Sequence, residues 1–569
     1  MKRSAFFAPM LRDMPSEADT KSHQWLLRAG FIRQLSSGIY SMLPLGLRVK
    51  RKIEAIIRQE MLSIGGLEFD LPSLQPAEVW KASGRWNAIG TEMLRLRDRS
   101  GRELCLGMTH EEIFASLAKE LRSYKELPSI WFQIARKFRD EPRPRGGLIR
   151  LREFTMKDSY SFALDEATLH TQFEAHEQAY RKIFERCGLE FVVANASNGN
   201  MGGSRSSEFV ALLEAGEDLV AVAESGDYAA NLEVAVSRLE PVSDDGQLLS
   251  PTEFATPNVH TIDDLVRFSS QLFPNGVAAV QQIKTLVLVA QGEPVVVLLR
   301  GDHQLNQTKL ALVLGTDDIR PAGAEETLEI MGANFGSLGP VGISARIIAD
   351  TALEQRHGMV SGANKDGFHI AGLEPTRDFS ARFADVRLVA NGDMALDGSS
   401  LTVRRGLELG HIFELGTRYA SAMGALVQNS SGQRVPIVMG SYGIGVDRLL
   451  AAIAETHSDE AGLRFPSSVA PFDLALLELG DTGGAAERLY QELTSFGLEV
   501  LFDDRTEARA GEKFTEYEMI GIPKAVVVGK KSLERGMVEI RDRQTGEKTE
   551  VLLEQVQQVF YRERRNLNS

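Results

Sequence analysis

Seven basic side chains lie within residues 136–152 and give this sequence its strongest chemical signal. Only two carboxylates, Asp140 and Glu141, accompany them before Glu153, and prolines and glycines interrupt residues 142–147. Guanidinium groups pair bidentately with phosphate oxygens and keep their charge at any physiological pH. The segment therefore predicts two antiparallel strands joined by a mobile basic loop that binds a polyphosphate. The alternative is a solvated surface loop.

A second segment, residues 440–450, places three glycines before Arg448. The apolar residues 435–439 predict a strand ahead of the glycines, and a helix follows them. A dinucleotide-binding turn would need its third glycine where Arg448 stands, and no G-x-x-x-x-G-K-[ST] phosphate loop occurs in the chain. We therefore expect ATP to be held by arginines rather than by a glycine cradle.

Length and composition predict a large multidomain enzyme. The 569 residues suffice for several domains with separate cores, and 43% hydrophobic and 25% charged residues are ordinary globular values. Cys105 and Cys187 are too few for a disulfide framework, which predicts inert thiols in a reducing cytoplasm. The start lacks an apolar run typical of a signal peptide, and no stretch approaches a membrane span.

The net charge of −14 argues against a nucleic-acid partner only if it is taken as a global average. Salt confines electrostatic fields to about 8–10 Å, so local basic clusters decide polyanion binding. Besides residues 136–152, basic side chains cluster at residues 48–52. A third cluster lies in the tail and consists of Arg562, Arg564 and Arg565.

Residues 49–61 have the apolar periodicity of an amphipathic helix, with Pro44 just ahead of it. The apolar stripe consists of Val49, Ile53, Ile56, Ile57 and Met61. Pro44 is either an ordinary proline before a helix or part of a motif at a subunit interface.

Thr109 and Glu111 follow a predicted strand at residues 104–106. A hydroxyl and a carboxylate at a strand end can hold the ammonium group of an amino acid by charge-assisted hydrogen bonds. The alternative is a helix N-cap followed by first-turn acids. His110 lacks the second histidine of an H-E-x-x-H zinc site, so we predict no protein-bound metal here.

These features together resemble class II aminoacyl-tRNA synthetases. Arg139-Asp140-Glu141 with Arg152-Glu153-Phe154 resembles motif 2, residues 440–448 resemble motif 3, and Pro44 with its helix resembles motif 1. Within that class the chain resembles prolyl-tRNA synthetases of the bacterial type over nearly its whole length. The segments that establish this closer resemblance are residues 71–80, 83–86, 106–112, 152–158 and 410–413.

The resemblance implies ATP-dependent activation of L-proline to prolyl-adenylate and its transfer to the 3′ end of tRNA(Pro). It also implies Mg²⁺ bridging the ATP phosphates and a homodimer formed through the motif 1 region. The reaction requires alignment and charge stabilisation rather than a general base. Two alternatives were weighed. A ligase that adenylates an acid without tRNA would lack an anticodon domain, and a non-catalytic paralogue would lack the motif arginines.

Carried over by position, the resemblance implies that Thr109 and Glu111 hold the proline nitrogen. Arg139 would contact the α-phosphate and the amino-acid carboxylate, and Arg448 would bind the γ-phosphate. The remaining residues implied for the ATP and proline pockets are Glu141, which reads the adenine amino group, Phe154, which stacks on the base, and Arg152, Glu408, Gly410, His411, Phe413 and Ser441.

Residues 224–404 separate motif 2 from motif 3, and strands predicted at 285–290 and 295–300 indicate an α/β unit. The segment resembles the editing domain of bacterial prolyl-tRNA synthetases, which hydrolyses alanyl-tRNA. Size discrimination against alanine is weak, since each lost methylene gives only about 1–3 kcal/mol. The implied editing residues are Lys284, Gly336, Pro340, Asp350 and His369. From the residues alone, Lys284 could be a solvated edge residue and His369 a satisfied loop histidine.

The expected fold is a class II antiparallel sheet core with an inserted α/β editing domain and a C-terminal α/β anticodon-binding domain. Catalytic segments span residues 1–223 and 405–465, and the C-terminal domain spans 471–569. Strands predicted at 474–477, 499–502 and 524–529 give that domain a partly parallel sheet. The candidate anticodon contacts are Asp503, Asp504, Arg505, Arg509, Lys513 and Phe514.

Overall fold

The computed structural model describes residues 1–244, 250–273 and 276–560, except for the side chain of Asn200. The predicted basic tail at Arg562, Arg564 and Arg565 lies outside the described residues. Unit 1 comprises Met1–Val193, Asn198–Glu217 and the chain from Arg405 onward, and unit 2 comprises Ala194–Ser197 and Asp218–Arg404. The predicted insert at 224–404 lies within unit 2, and its assignment as a domain stays a prediction.

The elements are numbered in chain order. The first part of the chain contains α1 (Lys21–Arg28), β1 (Ile32–Ser36), β2 (Ile39–Met42), α2 (Pro44–Ser63), β3 (Gly66–Glu68), β4 (Leu74–Pro76), α3 (Ala77–Ala82), α4 (Arg85–Ala88), β5 (Arg95–Arg97), β6 (Glu103–Leu106), α5 (Glu111–Leu117), β7 (Ser129–Phe138), β8 (Glu153–Ala163), α6 (Glu166–Arg186), β9 (Val192–Asn195) and β10 (Arg205–Ala211). The middle part contains β11 (Asp218–Ala223), β12 (Ala229–Asn231), β13 (Thr252–Ala255), α7 (Ile262–Ser269), β14 (Ile283–Ala290), β15 (Glu293–Arg300), α8 (Gln307–Leu314), β16 (Ile319–Pro321), α9 (Ala324–Met331), β17 (Arg346–Asp350), β18 (Met359–Gly362), β19 (Phe368–Leu373) and β20 (Arg382–Ala384). The last part contains β21 (Leu401–Gly416), α10 (Arg418–Met423), β22 (Leu426–Gln428), β23 (Arg434–Pro436), β24 (Val438–Gly445), α11 (Val446–Thr456), β25 (Leu474–Leu479), α12 (Ala485–Ser495), β26 (Val500–Asp503), α13 (Ala510–Ile520), β27 (Lys524–Gly529), α14 (Lys530–Leu533), β28 (Met537–Asp542) and β29 (Lys548–Leu552).

The core sheet of unit 1 runs in the order β10-β21-β24-β8-β7-β3. Every neighbouring pair is antiparallel except β3 with β7. In the β7–β8 hairpin, Lys137 lies opposite Phe154 and Gln133 lies opposite Asp158. This pairing confirms the predicted pair of antiparallel strands around the basic segment.

The glycine-rich segment belongs to a strand. The predicted strand at 435–439 is displaced, because β24 continues through Gly445 while paired to β8 on one side and β21 on the other. A Cβ at Gly440 would lie 2.7 Å from Ser161 Oγ and closer still to the Tyr442 hydroxyl. The glycine is therefore needed for close packing within a strand, and pairing on both sides keeps the backbone extended.

Helix α2 buries the predicted apolar stripe and begins with Pro44 in its first turn, which confirms the amphipathic helix. On another side of the helix, Lys50 Nζ lies 2.9 Å from Asp447 Oδ1 and donates to Thr155 Oγ1 at 2.6 Å. The other carboxylate oxygen of Asp447 accepts the backbone N–H of Thr155. This buried contact joins α2, β8 and the first turn of α11.

Unit 2 contains a sheet in the order β16-β14-β15-β17-β20 and a smaller sheet in the order β13-β19-β18. The predicted strands at 285–290 and 295–300 are confirmed, because they form the antiparallel pair β14 and β15. Their apolar residues, among them Val287, Val296 and Leu298, pack into a core with α9 and β17. Burial on both faces explains their nearly continuous apolar sequence.

The C-terminal region of unit 1 contains a sheet in the order β26-β25-β27-β28-β29. Strand β25 is parallel to β26 and β27, and β28 is antiparallel to both of its neighbours, which confirms the partly parallel sheet. Lys513 is buried and donates to the backbone oxygens of Glu478 and Asp503. Its ammonium is therefore not exposed for contact with an anticodon phosphate.

The Lys50–Asp447 pair generates a stability prediction. Asp447→Ala would leave a buried ammonium unpaired, and we expect a loss of about 3–5 kcal/mol in the first urea unfolding transition. The matched control is Arg58→Ala, which removes the half-exposed pair with Glu68 and should cost under about 1 kcal/mol. Equal unfolding midpoints for the two variants would contradict the structural importance of the buried pair.

Candidate active site and candidate editing cavity

The loop between β6 and α5 places a hydroxyl beside a buried carboxylate. Thr109 Oγ1 donates to Glu111 Oε2 at 2.6 Å, and Glu111 is the first residue of α5. The N-cap residue is His110, whose side chain makes no capping bond with a described residue. The N-cap alternative for Thr109 is therefore wrong, because its hydroxyl is bound to Glu111 instead of the helix backbone.

Glu111 is 1% exposed and has partners from four parts of the fold. Besides Thr109, its Oε2 lies 3.1 Å from Arg85 Nη1, while its Oε1 lies 3.1 Å from Ser441 Oγ and 3.3 Å from the Tyr160 hydroxyl. Burial by itself would raise the pKa of Glu111, but Arg85 and the Thr109 hydroxyl outweigh it and hold that pKa below its usual value. The carboxylate is therefore ionised at neutral pH.

The Tyr160 hydroxyl links Glu111 to a buried network of polar groups. The Tyr160 hydroxyl also lies 3.1 Å from Asp158 Oδ2, and Asp158 Oδ1 lies 2.8 Å from Lys137 Nζ. Lys137 Nζ in turn lies 2.6 Å from His110 Nδ1. Burial and the charge of Lys137 lower the pKa of His110 to about 4. A neutral His110 thus accepts from Lys137 and donates its Nε2–H to the Pro72 carbonyl.

The opposite end of the site is basic. Arg139 follows β7, its Cζ lies 5.4 Å from the centre of the Phe154 ring, and its buried Nε has no hydrogen-bond partner among the described residues. Burial lowers the pKa of Arg139. The carboxylates of Glu408 and Glu111 oppose this effect, and the charge of Arg448 adds to it. The structure thus brings together the arginines of both sequence segments, which lie about three hundred positions apart.

Arg448 is oriented by β21. Its Nη1 donates to the carboxylate of Glu408 at 2.8 Å and to the backbone oxygen of that residue at 3.1 Å. On the same strand His411 stacks on Phe413, with ring centres 3.9 Å apart, and its Nδ1 lies 3.3 Å from Glu408 Oε1. Arg448 of α11 therefore contacts Glu408 of β21, which contacts His411, which in turn stacks on Phe413.

Three other predicted site residues have close contacts within the protein: Glu141, Arg152 and Gly410. Glu141 Oε2 lies 2.7 Å from Arg150 Nε, and the backbone oxygen of Glu141 accepts from Arg152 Nε. A carboxylate can accept further hydrogen bonds besides the one from Arg150, and the adenine contact of Glu141 stays a prediction. A Cβ at Gly410 would lie 3.1 Å from the rings of both Phe184 and Tyr180.

Three side chains beside Arg448 could hold a metal ion. Donor atoms of Glu208, Glu408 and His411 lie within 4.8 Å of one another. Two of the three donors are carboxylate oxygens, which Mg²⁺ prefers, and the third is an imidazole nitrogen, which it does not. The carboxylates fit a cation that is shared with phosphate oxygens.

Unit 2 contains a cavity of about 640 Å³. Lys284, Gly336 and His369 all line it, although 85 positions separate the first from the last in sequence. Lys284 Nζ donates to the His303 carbonyl at 2.6 Å, and His369 Nδ1 lies 2.6 Å from Thr256 Oγ1. Burial lowers the pKa of His369 to about 4, so this histidine is neutral at physiological pH.

Gly336 allows the backbone to pass close to His260 in the cavity lining, as other residues could not. Its φ is +98°, and a Cβ there would lie 2.8 Å from His260 Cα. Both the left-handed backbone and the close approach require glycine. The neighbouring Phe335 also lines the cavity and is half exposed.

Two predicted editing residues lie elsewhere. Within the described part of the chain, the lining of the cavity does not include Asp350 or Pro340, and both residues are buried. The Asp350 carboxylate accepts the backbone N–H groups of Ala352 and Val386 at 2.9 and 3.0 Å. Asp350 therefore stabilises the backbone around β17, and its part in the editing site stays a prediction.

Comparisons with known proteins agree with this architecture. A family model described as "tRNA synthetase class II core domain (G, H, P, S and T)" matches residues 94–457, and one described as "Anticodon binding domain" matches residues 475–563. A "Proline--tRNA ligase" of Anaeromyxobacter sp. (strain Fw109-5) is 51% identical over 95% of this chain and 94% of its own. A "Proline--tRNA ligase" of Ligilactobacillus salivarius (strain UCC118) is 45% identical over 98% of each chain.

The chain belongs to the proline--tRNA ligase family of class II aminoacyl-tRNA synthetases. The family resemblance predicted from the sequence motifs is confirmed.

Solved structures share the fold of this family member at low sequence identity. Prolyl-tRNA synthetase of Giardia lamblia in complex with prolyl-adenylate has a TM-score of 0.58 at 15% identity and covers 95% of this chain and 77% of its own. Prolyl-tRNA synthetase of Cryptosporidium parvum complexed with halofuginone and AMPPNP has a TM-score of 0.57 at 12% identity, with coverage of 95% and 74%. These matches confirm the predicted class II core.

Sequence reasoning assigned no role to three buried residues of the ligase site, Arg85, Glu112 and Tyr160. Arg85 belongs to residues 83–86, one of the segments on which the family resemblance rests. A charged residue between Trp80 and Trp86 in sequence was the one local sign that Arg85 is buried. Tyr160 lies on β8 two positions after Asp158, so both point to the same face of the strand. No spacing rule joins Arg85 to Glu111, because 26 residues separate them.

In the part of the chain that the structure describes, no helix is both long and apolar enough to cross a membrane.

Proposed function

We propose that this protein activates L-proline with ATP to prolyl-adenylate and transfers the prolyl group to the 3′ end of tRNA(Pro). The observation that supports this most directly is the charge separation in the site. A buried, ionised Glu111 stands at one end, and Arg139 with an unpartnered Nε among the described residues stands near Arg448 at the other. A zwitterionic amino acid and a polyphosphate match these two ends.

In the activation step a carboxylate oxygen of proline attacks the α-phosphorus of ATP, and the bond from that phosphorus to the pyrophosphate oxygen breaks. Thr109 and Glu111 hold the secondary ammonium of proline, which orients the carboxylate towards Arg139. Arg139 stabilises charge on the α-phosphate, and Arg448 stabilises the departing pyrophosphate. Alignment of two bound reactants and fixed charges lowers the barrier without a general base.

The adenosine contacts come from the β7–β8 hairpin and from β21. Phe154 offers an aromatic face for the base, and Glu141 accepts from the adenine amino group. The other side chains that we place around ATP and the proline ring are Arg152, Glu408, Gly410, His411, Phe413 and Ser441. The stacked rings of His411 and Phe413 suit an apolar proline ring.

Mg²⁺ is the metal that we expect with ATP. Glu408 and Glu208 would hold it together with phosphate oxygens, and it would neutralise phosphate charge. Glu408 already lies 2.8 Å from Arg448, so this carboxylate positions the arginine for the phosphates.

Activation is tested by removing one arginine at a time. We expect Arg139→Ala and Arg448→Ala to lower proline-dependent ATP–pyrophosphate exchange by at least about 100-fold, because each would remove a preorganised charge from the transition state. Arg136→Ala is the matched control on β7, since its side chain is exposed and paired with Glu153. Exchange near the wild-type rate in Arg139→Ala or Arg448→Ala would contradict the assignment.

We also propose that the cavity of unit 2 hydrolyses alanyl-tRNA(Pro). The weak discrimination that a pocket achieves by size makes such a second site necessary. Lys284 offers a cation for a phosphate of the tRNA 3′ end, and Gly336 with neutral His369 limits the space for the amino-acid side chain.

Deacylation of preformed alanyl-tRNA(Pro) tests the editing proposal. Lys284→Ala and His369→Ala should each slow deacylation by about 10-fold or more while prolylation stays near the wild-type rate, because the cavity lies outside the activation site. The matched controls are Lys365→Ala and His357→Ala, whose exposed side chains are absent from the described lining. Wild-type deacylation by both cavity variants would show that these residues are structural.

We further propose a homodimer through the motif 1 region and a cytoplasmic protein. Leu62 of α2 is 53% exposed and Leu67 of the edge strand β3 is 56% exposed, and Leu47 of α2 and Leu74 of β4 are exposed as well. Exposed apolar side chains next to an unpaired strand edge are typical of a subunit interface. Cys105 and Cys187 are buried thiols, which suits a reducing compartment.

Sedimentation equilibrium tests the dimer. The wild type should sediment as a dimer at micromolar concentration, and the double variant Leu62→Glu, Leu67→Glu should sediment as a monomer, because two charges would have to be buried in the interface. Leu312→Glu is the matched control, since this exposed leucine lies on α8 of unit 2. A dimeric double variant would place the interface elsewhere.

A further inference from the structure

The ammonium end of the active site contains two buried carboxylates and one guanidinium. Arg85 is 5% exposed, Glu111 is 1% exposed and Glu112 is fully buried. Arg85 Nη1 lies 3.1 Å from Glu111 Oε2 and 3.1 Å from Glu112 Oε1. One cationic side chain therefore serves two anionic ones, and the cluster has a charge of −1 when both carboxylates are ionised.

The surroundings do not supply the missing positive charge. Lys137 is balanced by Asp158 at 2.8 Å, and His110 is neutral at physiological pH because its pKa is about 4. Arg448 is paired with Glu408 at the phosphate end, and the buried charge of Arg139 is shared between Glu408 and Glu111 rather than assigned to the carboxylate pair. The titratable and charged groups that face the carboxylate pair from the packed elements are Arg85 of α4, Cys105 of β6, His110, Lys137 of β7, Arg139, Asp158 and Tyr160 of β8, and Tyr419 of α10.

The neighbouring phenols and thiol remain neutral at physiological pH. Burial, followed by the charge of Glu112, raises the pKa of Cys105 to about 12. Burial with the Glu111 charge raises the pKa of Tyr160 and of Tyr419. None of these groups can therefore offset the excess negative charge.

The two carboxylates differ in how strongly they hold a proton. Glu111 has the Thr109 hydroxyl, Arg85, Ser441 and Tyr160 as partners, and its pKa lies below the usual value. Burial raises the pKa of Glu112 above its usual value, and Arg85 only partly opposes that effect. Glu112 accepts one further bond from Ser83 Oγ at 2.8 Å. A proton on the pair therefore resides mainly on Glu112.

We propose that the Glu111–Glu112 pair holds one proton while the pocket is empty and releases it to solvent when the ammonium group of the amino acid binds. This inference rests on the proposed contact between the proline nitrogen and Glu111. The cluster is then neutral in both states: Arg85 and one proton balance two carboxylates before binding, and Arg85 and the ammonium balance them afterwards. Glu112 is a positioning residue that selects for a cationic ligand without contacting it.

Proton release determines how affinity depends on pH. Below the raised pKa of Glu112 the empty site is protonated, so proline must displace the proton, and affinity rises by up to about 10-fold per pH unit. Above that pKa the pair is already ionised, and affinity no longer depends on this group. Tetrahydrofuran-2-carboxylate has the shape of proline with a ring oxygen instead of the ammonium, so it should release no proton.

Isothermal titration calorimetry of the full chain measures the proton directly. Proline is titrated from about pH 5.5 to about pH 8.5, at each pH in two buffers that both hold that pH and differ in ionisation enthalpy. We expect release of about one proton per site at the lowest pH, falling towards zero as pH rises. Glu112→Gln should show no release at any pH and weaker proline binding, while the exposed Glu120→Gln should match the wild type.

The outcomes separate this inference from the proposed function. If the wild type binds no proline at all, the proposed function fails. Proline binding with no proton release anywhere in the pH range, or the same release in folded Glu112→Gln, overturns the inference alone. Circular dichroism melting establishes that the variant is folded. If it is not, the pH dependence of wild-type binding and the ring-oxygen analogue decide the matter, and equal proton release by both ligands overturns the proposal.

Discussion

The buried pair of Lys50 and Asp447 joins the elements that position the active-site arginines. Lys50 is on α2, Asp447 is in the first turn of α11 directly before Arg448, and the Thr155 backbone that Asp447 accepts from follows Phe154 on β8. A buried ion pair is weak evidence for net stability, but breaking one is costly because the remaining charge is uncompensated. The pair therefore specifies one arrangement of these three elements, and Arg448 is directed towards the same site as Arg139 by that arrangement.

The active site is organised by charge as well as by shape. Its ammonium end has an excess of buried carboxylate, and its phosphate end has an excess of guanidinium. The ammonium end is buried, so its excess charge acts at a lower effective dielectric than at the surface, whereas Arg448 and Glu408 at the phosphate end are partly exposed. A ligand that is cationic at one end and anionic at the other relieves both excesses at once, whereas a neutral or singly charged ligand leaves one of them in place. The specificity that follows concerns charge first and ring size second.

Unit 2 uses a different principle. Its cavity is lined by loops and strand ends, and the close approach of Gly336 to His260 in that lining depends on a glycine with a left-handed backbone. The histidine in the lining is neutral and fixed by Thr256, and the lining also contains the charged side chains of Asp263, Lys284 and Asp302. In the proposed editing function such a pocket would distinguish small side chains by size, which would complement the charge selectivity proposed for the ligase site.

The sequence by itself determined much of this protein. Local periodicity was sufficient for α2, for the paired strands β14 and β15 and for β27, because burial of an apolar face is visible as a repeat of residue types. The spacing of arginines, prolines and glycines was sufficient for the β7–β8 hairpin and for the family. The family resemblance also assigned Lys284, Gly336 and His369 to one proposed site. In the structure these three residues line one cavity.

Only the tertiary structure decided the rest. The glycines of residues 440–445 suggest a turn, yet pairing with β8 and β21 on both sides makes them strand. Lys513 belongs to a charged segment, yet packing of α13 on β25 and β26 buries it, and Asp350 is withdrawn from the cavity by two backbone N–H groups. The pairing of Arg85 with Glu111 and Glu112 has no local signature, because long-range contacts between elements are set by the packing of whole faces and not by spacing along the chain.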